Sequence, residues 1–208
     1  LNSAAGKLRL SGGAYGGRWI AVPRGARPTE GRVREALFSA WQDRLPGAWL
    51  LDLFAGSGAI ALEALGRGAV GAVAVDRDRR AAEGIARSAR ELGVPEGALR
   101  VLHRPLPGGL TALEKIAVPG PSGVRTAGSG PFPLIFADPP YAFSDYGELL
   151  TAVAPWLGSD GEMALEHPRR RGEAWATPGL PLALHRQRHY GESTLSFFRP
   201  VPAEDPDV

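Results

Sequence analysis

The stretch "WLLDLFAGSGAIALEAL", residues 49–65, constrains the fold more than any other part of the chain. An apolar run holding Asp52 breaks at a loop with Gly56 and Gly58, and alanine and leucine then resume at helical spacing. Strand, glycine turn and helix within so few residues is the way a parallel sheet feeds a covering helix. The expectation is a strand over 48–54 and a helix from Ala59 to Arg67.

The same alternation continues downstream. Residues 71–76 ("GAVAVD") read as a strand and 77–93 as a helix closed by Gly93. Residues 99–103, 132–138 and 161–167 read as further strands, with helical patterns over 108–116 and from Asp145 to about Trp156 between them. Residues 182–190 and 193–199 close the chain as a hairpin, which adds an antiparallel strand to a parallel sheet with helices on both faces. Ahead of this body, 8–22 reads as two short strands around a glycine-rich turn, and Thr29 caps a helix from about Glu30 to Arg44. That helix puts Val33, Leu37 and Trp41 on its apolar face and leaves Arg32 and Arg34 mostly off it. Residues 118–131, rich in Gly, Pro and Ser, and the acidic tail read as disordered. The organisation is a basic hairpin arm over 1–28, the α/β domain over 29–200 and the tail over 201–208.

In open parallel sheets, ligands bind at the carboxyl ends of the strands near the switch in strand order. Glycines there let the backbone approach a nucleotide closely. Asp76 ends the second strand of the body, 20 residues after Gly56, where a carboxylate accepts hydrogen bonds from ribose hydroxyls. Nicotinamide cofactors share this layout, but Asp52 in the strand before the loop would repel a pyrophosphate and pairs well with an amino group. The balance favours S-adenosyl-L-methionine, which carries an α-amino group and a sulfonium. Phe54, Ala55, Ser57 and Arg77 flank these positions and join the cofactor set.

The stretch "LIFADPPYAF", residues 134–143, ends a buried-looking strand in an acid and two prolines. Prolines cannot continue a central strand, so the chain turns at the same sheet edge as Gly56 and Asp76. An exocyclic amine on a base is a poor nucleophile because its lone pair is conjugated with the ring. Acceptors from Asp138 and from the carbonyl of Pro139, held rigid by Pro140, localise that lone pair, and Tyr141 stacks on the base. A base reaches such a corner only when it is single-stranded or extruded. The corner by itself fits adenine, cytosine or guanine.

Charge distribution suggests a polyanionic partner. The whole chain of 208 residues is only +2, but residues 1–35 hold seven Lys/Arg against two acids, a net of +5. Arg9, Arg18, Arg24, Arg27, Arg32 and Arg34 are the candidate RNA contacts. Tyr15 and Trp19 can stack on RNA, although packing of the hairpin on the body is the simpler expectation. No run of about 18 apolar residues spans a membrane, and no apolar leader opens the chain. The chain has no cysteine, which excludes disulfides and thiolate metal sites and suits the cytoplasm. The four histidines lack metal spacing and are expected to be structural.

"LDLFAGSGAIALEAL", "VAVDRD" and "LIFADPPY" resemble class I S-adenosylmethionine-dependent methyltransferases that act on exocyclic amines. "ARPTEGRVREALF" (26–38) and "HYGESTLSFF" (189–198) are more particular, and with the N-terminal hairpin they resemble the RsmD family. The resemblance covers about residues 7–199. It implies a Rossmann-like seven-stranded sheet with a reversed last hairpin, and an enzyme that methylates N2 of one guanine in 16S rRNA, free or within the small ribosomal subunit; a monomer is expected. It also implies catalysis at Asp138 to Tyr141 and closure of the "RPT" segment and its helix over the cofactor, with Thr29, Arg32 and Phe38 as the candidate contacts. One departure is plain: relatives often carry an acid after the third strand, where this chain has His103, Arg104 and Pro105. A DNA adenine or cytosine amino-methyltransferase, and an RNA-binding module without activity, are the alternatives on the same residues.

Overall fold

A computed structural model of the chain describes residues 6–23, 31–115, 117–120, 123–126, 130–169 and 179–201. Strand β1 (Gly6–Arg9) pairs antiparallel with β2 (Trp19–Val22), and helix α1 (Gly31–Ala40) follows. The body then runs β3 (Trp49–Leu53), α2 (Ala59–Gly66), β4 (Gly71–Asp76), α3 (Arg79–Leu92), β5 (Leu99–His103) and a 3₁₀ segment (Gly108–Lys115). After a separate pair, β6 (Ala117–Gly120) and β7 (Gly123–Thr126), come β8 (Phe132–Ala137), α4 (Tyr146–Val153), β9 (Leu157–Pro168), β10 (Leu182–Tyr190) and β11 (Ser193–Pro200).

Seven strands form one sheet in the order β10-β11-β9-β8-β3-β4-β5. Neighbours from β9 through β5 are parallel, whereas β11 is antiparallel to both β9 and β10. The last strand therefore inserts between β9 and β10. The chain winds from β3 outward through β4 to β5, then returns to β8 on the other side of β3. The crevice at the switch point opens between the carboxyl ends of β3 and β8.

Alternation along β3 separates two apolar layers. Trp49, Leu51 and Leu53 pack with Val73, Val75, Ile135 and the α4 residues Tyr146 and Leu149. Leu50 packs on the other face with Ile60 and Ala64 of α2, Ile85 of α3, and Val33, Leu37 and Trp41 of α1 and the turn after it. Asp52 shares the parity of Leu50, so it points toward α2, where its Oδ2 accepts the Ala61 amide at 3.1 Å. Helix α3 has explicit ends: Asp78 caps its first turn through the Arg80 amide, and Gly93 ends it at φ 73°.

The N-terminal hairpin is docked on the body. Leu8, Leu10, Ile20 and Val22 bury their side chains against Ala59 and Leu62 of α2 and Ala89 and Leu92 of α3. The hairpin thus packs on the body as expected, and Tyr15 packs there too, whereas the Trp19 ring is 59 % exposed.

Three further expectations change. The first helix ends at Ala40, with Trp41 to Leu45 continuing as turns. The segment read as disordered over 118–131 holds β7 and all but the first residue of its partner strand β6. Strand β9 begins at Leu157, four residues earlier than its composition suggests, because Phe132 pairs with Leu157 before a shift in register. The tail from 202 onward lies outside the described residues.

Candidate active site

Three strand ends converge on one cleft. Leaving β3, the chain makes Phe54 at φ 58°, then Gly56 at φ 53° and Gly58 at φ 76°. The Ala55 amide donates to the Val75 carbonyl at 3.0 Å and the Gly56 amide to Asp76 Oδ2 at 2.8 Å, so β4 holds the loop at two points. Asp76 Oδ1 accepts the Asp78 amide at 2.8 Å. On the other side, the Asp138 amide continues the ladder to the Leu53 carbonyl at 3.4 Å, and the Pro140 carbonyl closes the following turn on the Phe143 amide at 2.7 Å.

The cleft encloses about 340 Å³. Of the positions singled out in the sequence, it brings together Asp52, Phe54, Ala55, Gly56, Ser57, Asp76 and Arg77 with Asp138, Pro139, Pro140 and Tyr141. Pro139 is buried, Asp138 half-buried, and Tyr141 stands at the rim, 46 % exposed. Phe54 meets Phe143 edge-on with centroids 5.5 Å apart, and Phe143 meets Tyr146 at 5.3 Å, an aromatic file that stiffens the corner. A Cβ built on Gly56 would touch only the Phe54 carbonyl, at 3.8 Å, and otherwise meet open space.

Electrostatics within the cleft are uneven. Burial raises the Asp52 carboxyl to about 8; the Ala61 amide opposes the shift and the charge of Asp76 adds to it. Asp52 is thus largely protonated near neutral pH until a cation approaches. Burial lowers His167, against the pull of the Pro168 carbonyl. Its Nδ1 lies 3.0 Å from that carbonyl, which can only accept, so Nδ1 carries the proton. Neutral His167 then accepts at Nε2 from Ser196 Oγ, 2.7 Å away.

Other candidates fall elsewhere. Gly58 does not line the cleft: a Cβ there would lie 2.8 Å from Ile85, so this glycine lets α3 pack against the loop. Arg34 is corrected most sharply. Its side chain is buried, 3.4 Å from Glu63 Oε2 and donating to the Arg9 carbonyl at 3.1 Å, and it cannot serve as an RNA contact. Arg9, Arg18 and Arg32 are exposed; Arg9 donates to the Gly17 carbonyl and Arg18 to the Glu91 carbonyl. Thr29, Arg24 and Arg27 lie outside the described residues. His103 does not line the cleft and donates to the Arg77 carbonyl at 3.0 Å.

Sequence reasoning missed Glu166, His167 and Ser193, which line the cleft from the ends of β9 and β11. The signal was available: the carboxyl end of the fifth strand of the body belongs at the same sheet edge. Among the described residues, no cluster of His, Asp or Glu could hold a metal ion, and no helix is long and apolar enough to cross a membrane.

A seven-stranded sheet of this order, reversed only at its last strand and carrying a glycine loop and an acid at the switch point, is the class I methyltransferase fold. The family described as Conserved hypothetical protein 95 matches residues 8–199. Ribosomal RNA small subunit methyltransferase D of Escherichia coli is 31% identical over 204 residues, covering 95% of this chain and 92% of that one. Among solved structures, yhhF of Escherichia coli, described as a "putative methyltransferase", is 28% identical with TM-score 0.73, over 94% of this chain and 98% of that one. A Thermus thermophilus protein of unassigned function is 32% identical with TM-score 0.72, over 93% and 99%. The chain belongs to the RsmD family of methyltransferases.

Proposed function

We propose that the chain methylates the N2 amine of a guanine in small-subunit ribosomal RNA, with S-adenosylmethionine as donor. The observation that carries this reading is the shared cleft: Asp138, Pro139 and Tyr141 line the same cavity as Gly56, Asp76 and Asp52. The residues fit the donor. Gly56 presents bare backbone to open space, Asp76 offers a carboxylate for ribose hydroxyls, and buried Asp52 ionises most readily beside a cation. The donor supplies a methyl group made electrophilic by its sulfonium.

The chain's own residues then act on the amine. Asp138 and the Pro139 carbonyl accept the two N2 hydrogens and aim the nitrogen lone pair at the methyl carbon. With the donor bound, the amine would take its methyl group, the bonding electron pair staying on the donor's sulfur, and the amine proton would leave to Asp138 or solvent. Positioning supplies most of the acceleration, since the donor is already activated. Tyr141 at the rim stacks on the extruded base. Exposed Arg9, Arg18 and Arg32 hold the RNA backbone. A relative 31% identical that is named as a small-subunit rRNA methyltransferase supports ribosomal RNA over DNA, and such a substrate sets the reaction in the cytoplasm.

The test offers labelled S-adenosylmethionine with unmodified small subunits, naked 16S rRNA, and DNA, and maps the product. Label at N2 of a guanine in the subunit or the rRNA is expected; label in DNA only, or in none, overturns the reading. Asp138→Ala is expected to lose most turnover and keep donor binding by calorimetry.

A further inference from the structure

We propose that Glu166 selects guanine, by accepting a hydrogen bond from N1–H of the target base. The inference rests on the reading above and adds what the Asp-Pro-Pro-Tyr corner cannot supply, which is discrimination among bases that carry an exocyclic amine.

Position comes first. Strands β8 and β9 are parallel with Ala137 opposite Leu165, so Asp138 and Glu166 follow those residues on adjacent strands. Both line the cleft. Glu166 is only 6 % exposed, and on its other side β11 pairs Leu195 with it. Its carboxylate thus sits in a water-poor wall beside the corner that would hold the amine, where a hydrogen bond is electrostatically stronger than in water.

The chemistry of the base edge decides what such a carboxylate favours. Guanine presents N1–H directly beside its N2 amine. Adenine and cytosine present a bare ring nitrogen, an acceptor, beside theirs. A carboxylate next to Asp138 therefore gains a charge-assisted hydrogen bond from guanine and meets lone-pair repulsion from the other two. A flipped base is read along this edge, and a buried hydrogen-bonding site rejects analogues that lack the matching group far more strongly than an apolar pocket does.

The test uses the full chain with small-subunit RNA carrying either guanine or 2-aminopurine at the mapped target. 2-Aminopurine keeps the exocyclic amine but has no hydrogen on N1. Wild type should prefer guanine by at least about 100-fold in kcat/KM. Glu166→Gln should lower kcat/KM on guanine by about 10- to 100-fold. It should also shrink the preference for guanine, because the Gln amide can donate to the bare N1. Donor affinity and melting temperature are measured alongside. A Glu166→Gln protein that folds and keeps the wild-type preference overturns the assignment alone. Should that variant not fold, the wild type decides: 2-aminopurine methylated at the guanine rate overturns it, and a loss of about 100-fold supports it. Wild type that labels no guanine overturns the underlying reading, and this assignment falls with it.

Discussion

The Gly56 amide donates to Asp76 Oδ2 at 2.8 Å, and this bond ties the glycine loop after β3 to the end of β4. The carboxylate thus both shapes the loop and faces the cleft. Asp76→Ala is expected to weaken S-adenosylmethionine binding by about 10- to 100-fold, the scale of one or two hydrogen bonds to a charged group. Melting temperature should move little, because neither bond lies within an apolar layer. Titration calorimetry checks this, and an unchanged Kd would rule out Asp76 as a donor contact.

Asp52 makes the unliganded protein sensitive to pH. Its carboxyl lies near 3.8 in the unfolded chain and at about 8 in the fold. The raised value means that the unfolded state gives up the proton first as pH rises. The contribution of Asp52 to stability is therefore fully present below about pH 4 and is lost as pH climbs through 8. Asp52→Asn should flatten that slope in chemical denaturation across the same window. A cationic donor favours the ionised form, so binding near neutral pH should release a proton. Calorimetry in buffers of differing ionisation enthalpy reads it, and binding heats independent of buffer would sink the idea.

Gly58 is a packing residue with a sharp requirement. Its φ of 76° disfavours a side chain, and a Cβ would sit 2.8 Å from Ile85 of α3. Gly58→Ala is expected to destabilise by about 1–3 kcal/mol. Adding Ile85→Val should relieve little of this, because valine keeps both Cγ atoms, the ones that would lie 2.8 and 2.9 Å away, whereas Ile85→Ala removes them and should recover part of the loss. Melting curves of the three proteins test the claim; a Gly58→Ala protein as stable as wild type would refute it.

The legible part of this molecule was the part carried by chain direction. In a parallel sheet every strand end falls at one edge, so Gly56, Asp76 and Asp138 could be grouped from their order alone. What could not be read was which way a side chain faces once a second element covers it. Arg34 follows Val33 on α1 and looked solvated, because the sequence does not show that the hairpin and α2 close over it. Gly58 looked like a ligand contact because its neighbour Ile85 is 27 residues away in sequence. Strands β6 and β7 were hidden by composition: they pair only with each other, in a segment whose glycines and prolines favour turns. The end of the strand holding Glu166 belonged at the ligand edge by order alone, but only the register of β9 against β8 sets the residue beside Asp138.

Glu63 holds the N-terminal hairpin to the body and should dominate its stability. The residue is fully buried in α2, yet its carboxylate accepts from the Ser11 amide at 3.1 Å and from Arg67 Nη2 at 2.7 Å, and lies 3.4 Å from Arg34 Nε. Ser11 follows β1, Arg34 lies in α1 and Arg67 ends α2, so one carboxylate joins three parts of the chain. Replacing a buried ion pair by apolar groups can be neutral, but removing one partner strands the other charge. Glu63→Ala is therefore expected to cost about 3–5 kcal/mol, chiefly because Arg34 stays buried and loses this counter-charge. Glu63→Leu combined with Arg34→Met should be clearly more stable than Glu63→Ala, since the buried guanidinium is removed together with the carboxylate. Urea denaturation of wild type, single and double variants measures both steps. A single variant within about 1 kcal/mol of wild type, the range of an exposed ion pair, would show that water reaches this junction and that the hairpin is held by its apolar face alone.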